Sequence, residues 1–359
     1  MDDQNKNLIL TTVLSFLVIL GWFVVGPKLF PAWFPDPAAV VAPTTDAVAN
    51  NPDAPAVAPG AAGTPTTVTS TEPLPEAPRL TIDTPMLTGS ISLLGGRLDD
   101  LSLKTFKETL AADSPNVTLL SPVGKANPYY AVFGWAPGAG LAAEDVPGAK
   151  SEWKLASGGT LSVGKPVTLQ WQNSKGLTFL RTISIDENFM FTVSDQVKNT
   201  GTAAVSLYNY GIIARHGLPK LQNIYVVHEG LVRRTDGSLE EVKYKKVAGL
   251  PQVEAEAAQA EVKSATTDGW IGFTDHYWMT TLIPEQGKPY TSVAKYVAGA
   301  DIYQAEVRDP LVSLAPGASV QSSMQLFAGA KVWETIREYQ NDPGTLESLF
   351  GVKVDPNRP

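Results

Sequence analysis

Cysteine is missing from all 359 residues. That excludes disulfide staples, zinc–thiolate sites and a cysteine nucleophile. A domain with a large core manages without disulfides even in an oxidising compartment, so the absence agrees with a bacterial periplasm. Histidine is scarce: only His216, His228 and His276 occur. A metal site wants at least two ligands at short local spacing, and these three lie on separate segments, so surface or hydrogen-bonded histidines are expected. No G-x-S-x-G elbow, P-loop or H-E-x-x-H is present, and Gly95-Gly96 is far weaker than a dinucleotide fingerprint. Neighbouring acids such as Asp99-Asp100 and Glu240-Glu241 point apart on a strand, which suits solvated faces better than acid/base pairs. The expectation is a non-enzyme with no catalytic residue, no cofactor and no metal. Basic charge is in short supply too. The net charge of −8 divides as 0 over residues 1–30, −5 over 31–78 and −3 over 79–359, so there is no electrostatic footprint for nucleic acid.

Long apolar runs are almost absent, with one exception. Leu8–Val25 holds 18 residues without a charge. As a helix it covers roughly 27 Å, close to the ~30 Å hydrocarbon core of a bilayer. Trp22 and Phe23 suit its interfacial end, and Gly26-Pro27-Lys28 stops it. The alternative, a cleaved signal peptide, wants a positive n-region, a shorter apolar core and a small-x-small cleavage site. Asp2, Asp3 and the Pro-containing sequence after Gly26 supply none of these, so an uncleaved anchor over residues 1–30 is expected. Lys6 and Lys28 flank it almost symmetrically, but long domains translocate largely regardless of charge. The expected arrangement is a cytoplasmic N-terminus with the bulk of the chain outside the cytoplasm. Residues 31–78 are rich in Pro, Ala and Thr and lack apolar periodicity, which reads as a disordered linker.

From Arg79 on, short alternating runs follow one another at spacings of roughly 8–12 residues, the pattern of an all-β sandwich. Val167, Leu169 and Trp171 share one face; Phe179, Arg181, Ile183 and Ile185 share the next. Asn199-Thr200-Gly201 and Asp236-Gly237-Ser238 carry hairpin turn chemistry. Residues 79–330 are expected to form the domain, and 331–359 a helix and tail. Val332, Trp333, Ile336 and Tyr339 are expected on one side of that helix. Either the helix packs on the sheet, or Trp333, Ile336 and Tyr339 form a partner contact. Trp270, Tyr277 and Trp278 have two readings: core packing, or aromatics of a cleft that stacks on sugar rings. Arg233-Arg234 and Lys243-Tyr244-Lys245-Lys246 are expected on a solvated edge, with an anionic-lipid patch as the alternative.

Several of these features occur in a familiar order. Met1-Asp2-Asp3-Gln4-Asn5-Lys6-Asn7 before the apolar run resembles the start of YidC-type membrane protein insertases of Gram-negative bacteria. The Pro/Ala/Thr linker, Gly95-Gly96-Arg97-Leu98, Gly269-Trp270-Ile271-Gly272-Phe273 with Tyr277-Trp278, and a final helix after Leu326-Phe327-Ala328-Gly329 resemble it too. The resemblance implies a large periplasmic β-supersandwich, galactose-mutarotase-like, with a short C-terminal helix, behind one N-terminal transmembrane helix that sits in the bacterial inner membrane with its N-terminus in the cytoplasm. It also implies five further membrane helices with a groove arginine, which this sequence lacks beyond Pro359. The expected role is a docking or scaffold module without the insertase core. Its expected partners are the Sec translocon with its SecDF-type subunits, nascent inner-membrane proteins through the full-length protein, and the lipid bilayer. A membrane-tethered carbohydrate-binding or mutarotase-like protein is the alternative.

Overall fold

A computed structural model describes residues 76–111, 113–221 and 227–341. The anchor Leu8–Val25, nearly all of the linker, and the expected tail after Asn341 lie outside the described residues. Among those described, no helix is long and apolar enough to cross a membrane.

Alternating sequence becomes alternating burial, and two sheets result. The chain lays down β1 (Arg79–Asp83), β2 (Leu87–Ser92), β3 (Arg97–Lys107), β4 (Asn116–Leu120) and β5 (Tyr129–Pro137) in the first sheet. It crosses to the second for β6 (Lys154–Ser157), β7 (Val167–Gln172), β8 (Leu177–Ile185) and β9 (Met190–Asn199). β10 (Val205–His216) returns to the first sheet, and β11 (Gly230–Thr235) and β12 (Ser238–Lys243) lie in the second. A one-turn helix α1 (Tyr244–Val247) leads back to β13 (Gln252–Val253) and β14 (Ala258–Ala265). β15 (Gly269–Thr274) and β16 (Trp278–Pro284) join the second sheet; β17 (Tyr290–Val297), β18 (Ile302–Arg308) and β19 (Val312–Leu314) join the first. Finally β20 (Ser319–Ala330) enters the middle of the second, and helix α2 (Trp333–Asn341) follows. The first sheet has 11 strands and the second 9, in the order β12-β11-β15-β16-β20-β9-β8-β7-β6. Among the described residues these strands all pair antiparallel.

The inner faces meet in a core that draws Leu101, Ile213 and Ala305 from the first sheet and Phe191, Leu282 and Leu326 from the second. Along β10 the next residue over, Ile212, joins Tyr208, Tyr210 and Ala214 in a separate cluster, because side chains alternate across a strand. β10 is thus apolar on both faces. The Asp236-Gly237 turn closes β11 on β12 with φ of 45° and 86°, the left-handed pair a two-residue hairpin needs.

The hairpin expected at Asn199-Thr200-Gly201 does not form. Asn199 Oδ1 accepts the Gly201 amide at 2.9 Å, as the turn chemistry suggests. Its Nδ2 donates to Ala203 O (2.9 Å) and Leu314 O (3.1 Å). β9 pairs with β8 and β20, and β10 with strands of the other sheet, so this turn is a corner between sheets.

Arg181 is fully buried on the inner face of β8, as its place among Phe179, Ile183 and Ile185 implies. Its Nε and Nη2 donate to Asp195 of β9 at 2.7 and 3.1 Å, and Nη1 to Gly96 O at 3.3 Å. Trp153 lies 4.8 Å from the guanidinium carbon. Asn209 of β10 donates to Asp195 at 3.2 Å and to Gly134 O at 2.9 Å. The pair therefore ties both sheets together. A second buried cluster joins Lys295, Glu306, Arg308 and Glu256, with Lys295 2.7 Å from Glu256 and Arg308 2.6 Å from it.

Removing one member of a buried pair strands the other charge. Asp195→Ala is expected to cost about 3–5 kcal/mol in urea unfolding, whereas Lys104→Ala, which breaks a more exposed pair with Asp83, costs less than about 1 kcal/mol. Burial opposes ionisation of Glu256, but Arg308 and Lys295 outweigh it and bring its pKa from 4.5 to about 2. Its contribution is complete above pH 4.5 and disappears as pH falls toward 2. Glu256→Gln should therefore flatten the acid limb of an unfolding-midpoint profile; an unchanged slope refutes the assignment. Asp236, also held at about 2, keeps part of that slope in the variant.

Candidate functional site

Two open grooves meet at the Asp275-His276-Tyr277 turn between β15 and β16. One, of about 890 Å³, is lined among others by Arg79, Asp100, Tyr129, Arg215, Asp275 and Trp278. The other, of about 870 Å³, is lined by Phe106, Leu110, Val117, Tyr277, Trp278 and Val332 among others. Tyr277 and Trp278 belong to both.

The turn is held from beneath. Phe273, buried on β15, stacks on Tyr244 at 5.7 Å and 11°, and Tyr244 meets Tyr303 edge-on at 5.0 Å. Arg215, at the end of β10, lies 4.6 Å from the Tyr129 ring centroid. Its Nη1 donates to both carboxylate oxygens of Asp275 at 2.9 Å and to Tyr244 Oη at 3.0 Å. Asp275 N donates to Trp278 O at 2.8 Å and closes the turn. Burial pushes the Tyr129 and Tyr244 phenols up, so both stay protonated. Burial disfavours the Arg215 charge, but the Asp275 carboxylate beside it compensates and holds it cationic.

α2 is strapped to this platform. Lys331 Nζ donates to Asp275 O at 2.6 Å and Thr274 Oγ1 at 3.1 Å, and Lys331 N to Tyr277 O at 2.8 Å. Burial lowers the Lys331 pKa. At the other end Tyr339 Oη donates to Asp186 Oδ2 at 2.5 Å and accepts the Phe189 amide at 3.1 Å. Burial, and then Asp186, push the Tyr339 phenol up.

The expected site residues separate in space. Tyr277 is 59% exposed, Trp278 is partly buried against Phe106 (5.4 Å, edge-on), and Trp270 packs on the main core at the far end of β15. Only Tyr277 and Trp278 share a groove. Trp333, Ile336 and Tyr339 do not form one face. Thr335 and Tyr339 are buried, Ile336 is intermediate and Trp333 is 65% exposed. At about 100° per residue Trp333 falls off the stripe that Val332, Ile336 and Tyr339 share, and Thr335 takes its place.

Two solvated-face expectations are corrected. Arg233 is fully buried between Glu240 (2.7 Å) and Glu261, and Arg234 pairs with Asp268 at 2.8 Å. Only Lys243, Lys245 and Lys246 of that group are exposed. Asp99 is buried against Arg79 rather than solvated. Tyr130 meets His216 at 3.0 Å, and His228 meets Leu231 O at 3.0 Å. Among the described residues no His, Asp and Glu group is placed to hold a metal. Asp275 and His276 do adjoin Tyr277 and Trp278 in the first groove, as the sugar-binding alternative requires, but both Asp275 oxygens are engaged by Arg215. The arrangement offers a fixed ion pair between aromatic rims, which suits recognition better than proton transfer. Sequence reasoning missed Arg215, Asp275, Lys331 and Asp186. The available signal was Arg215, a charge near the end of the apolar β10 run.

Tyr339→Phe removes both hydrogen bonds at the distal strap, a loss of about 1–3 kcal/mol locally. Amides of Trp333–Asn341 should exchange faster while those of β20 keep their protection; uniform exchange would show that the strap holds nothing.

A family model described as YidC periplasmic domain matches residues 79–349. The membrane protein insertase YidC of Cereibacter sphaeroides is 58% identical over 357 residues, covering 99% of this chain and 56% of that protein. Its namesake in Ruegeria pomeroyi is 52% identical over 348 residues, covering 95% and 57%. The chain thus spans a little over half the length of these relatives. Among solved structures, a galactose mutarotase related enzyme from Lactobacillus acidophilus aligns with a TM-score of 0.46 at 11% identity, over 71% of this chain and 100% of that one. A putative aldose 1-epimerase from Escherichia coli K12 aligns with a TM-score of 0.43 at 13% identity, over 70% and 98%.

Proposed function

Because the chain belongs to the YidC periplasmic domain family, we propose that it is the anchor and periplasmic module of a membrane protein insertase, serving as a docking and spacing element. The observation that carries this is the order of parts: an uncharged 18-residue run at Leu8–Val25, a linker, then the family's domain from residue 79. In this reading residues 1–30 anchor the chain with its N-terminus in the cytoplasm, residues 31–78 are the tether, and the body stands in the periplasm. The partners are the Sec translocon with SecDF-type subunits, and nascent inner-membrane proteins handled by the whole protein.

The straps on α2 support a contact role for its outer side. Tyr339 is used up in holding the helix, so it serves the contact indirectly. Trp333, with the exposed Glu334, Arg337 and Glu338, is free to meet a second surface. The engaged Asp275 carboxylate favours this non-catalytic reading over a mutarotase-like one.

Alkaline carbonate extraction of membranes should leave the chain in the pellet, and protease added to spheroplasts should digest the body. Release of intact chain, or a protected body, overturns the proposal. Affinity purification from gently solubilised membranes is expected to recover Sec components, and their loss on replacing Glu334, Arg337 and Glu338 together with alanine locates the contact.

A further inference from the structure

Eight large apolar side chains are conspicuously exposed on the described surface; two of them, Leu110 and Tyr277, line one groove, and a third, Trp333, is next in sequence to its rim. Leu110, fully exposed on the β3–β4 connection, and Tyr277, on the β15–β16 turn, line the second groove together. Trp333 follows directly on Val332, which lines the same groove. Between them Phe106, Trp278 and Val332 continue the apolar surface inward. The exposed Lys107 and Glu108 line the same groove and are opposite in charge; apolar side chains gathered among them at one tip exceed ordinary surface scatter.

The chain's own connections point to the occupant. Arg79, the first residue of β1, lines the first groove, while Lys331 and Val332, just before α2, line the second. Entry to and exit from the sandwich therefore flank the same tip. In the anchored reading the tether joins the sandwich at Arg79, so this tip is the end to which the linker is tied. The side chains also fit. Trp and Tyr favour the membrane–water interface, where an apolar ring and a polar edge are both accommodated. Leucine at a loop tip adds apolar area without burying backbone that sheet pairing needs. The Lys331 ammonium is turned inward onto Asp275 O and Thr274, so the patch is apolar rather than basic at its centre.

We propose that Leu110, Tyr277 and Trp333 form a bilayer-docking tip that rests the sandwich, by its entry-and-exit end, on the interfacial region of the membrane. The proposal rests on the anchored reading above and names the surface that Trp333 meets. Docking of this kind fixes the orientation of a body that a long Pro/Ala/Thr linker would otherwise leave free to turn.

The absence of cysteine makes the test direct. Single-cysteine variants Leu110→Cys, Tyr277→Cys and Trp333→Cys of the full chain, with Leu155→Cys as control, each carry one NBD fluorophore in phosphatidylcholine–phosphatidylglycerol vesicles. Leu155 is exposed on β6 and lines neither groove. Flotation with the vesicles reports the anchor, and quenching by brominated acyl chains reports the tip. The expected result is at least twofold stronger quenching at 110, 277 and 333 than at 155. Flotation with quenching no greater than at 155 overturns the docking tip and leaves the anchor standing. A blue-shifted but unquenched probe overturns it as well, since protein then covers the patch. Failure to float removes both.

Discussion

Everything above the core depends on one demand of electrostatics, that the charge on Arg181 and Asp195 be answered inside the sandwich. An ion pair without water is tolerated only when its remaining hydrogen-bonding positions are filled. Here two fillers come from the opposite sheet, Asn209 on β10 and the Gly96 carbonyl ahead of β3, while the Trp153 ring, just ahead of β6, lies over the guanidinium. Sliding one sheet over the other by a residue would part the donors from the acceptors. Hydrophobic faces alone are forgiving of such slips, because one apolar side chain replaces another at little cost. The buried charge supplies the register that Leu, Ile and Phe do not.

With the sheets locked, rigidity is passed outward through short links. β15 carries Phe273 onto Tyr244, Tyr244 sets Arg215, and Arg215 holds Asp275. Asp275 then presents its carbonyl to Lys331, which starts α2 in place, and Tyr339 secures the other end on the β8–β9 turn. The helix is consequently part of the platform. Side chains on its far side sit at positions determined by the sandwich, as a module that sets distance and orientation requires.

Much of this was legible in the chain. Period-two alternation located β7, β8 and β9 and put Arg181 on the inner face. Asp236-Gly237 announced its hairpin because both residues tolerate positive φ. What escaped was every feature whose partner lies far away in sequence. Asn199-Thr200-Gly201 has local turn chemistry, but whether a turn closes a hairpin or rounds a corner is decided by the strand that competes for the edge, here β20. Arg233 read as a solvated base because its partners Glu240 and Glu261 are 7 and 28 residues along. Trp333 was misplaced for a local reason: one position on a helix turns a side chain by about 100°, and Thr335 is too small to attract notice as a buried residue.

The placing of β20 has a consequence for how the body comes into being. Before Ser319–Ala330 exists, the nine-stranded sheet consists of two unjoined ladders, β12-β11-β15-β16 and β9-β8-β7-β6. Each has an open inner edge, at β16 in one and at β9 in the other. A chain made from its N-terminus outward can form the β6-β7-β8-β9 ladder strand by strand but cannot join it to the other. It waits with its seam unsewn until the last strand arrives, and then both ladders close at once. Closure by distant partners is slow and leaves edges exposed meanwhile, so the moment of maturation is set by delivery of the final strand, immediately ahead of the helix that is strapped over the finished end.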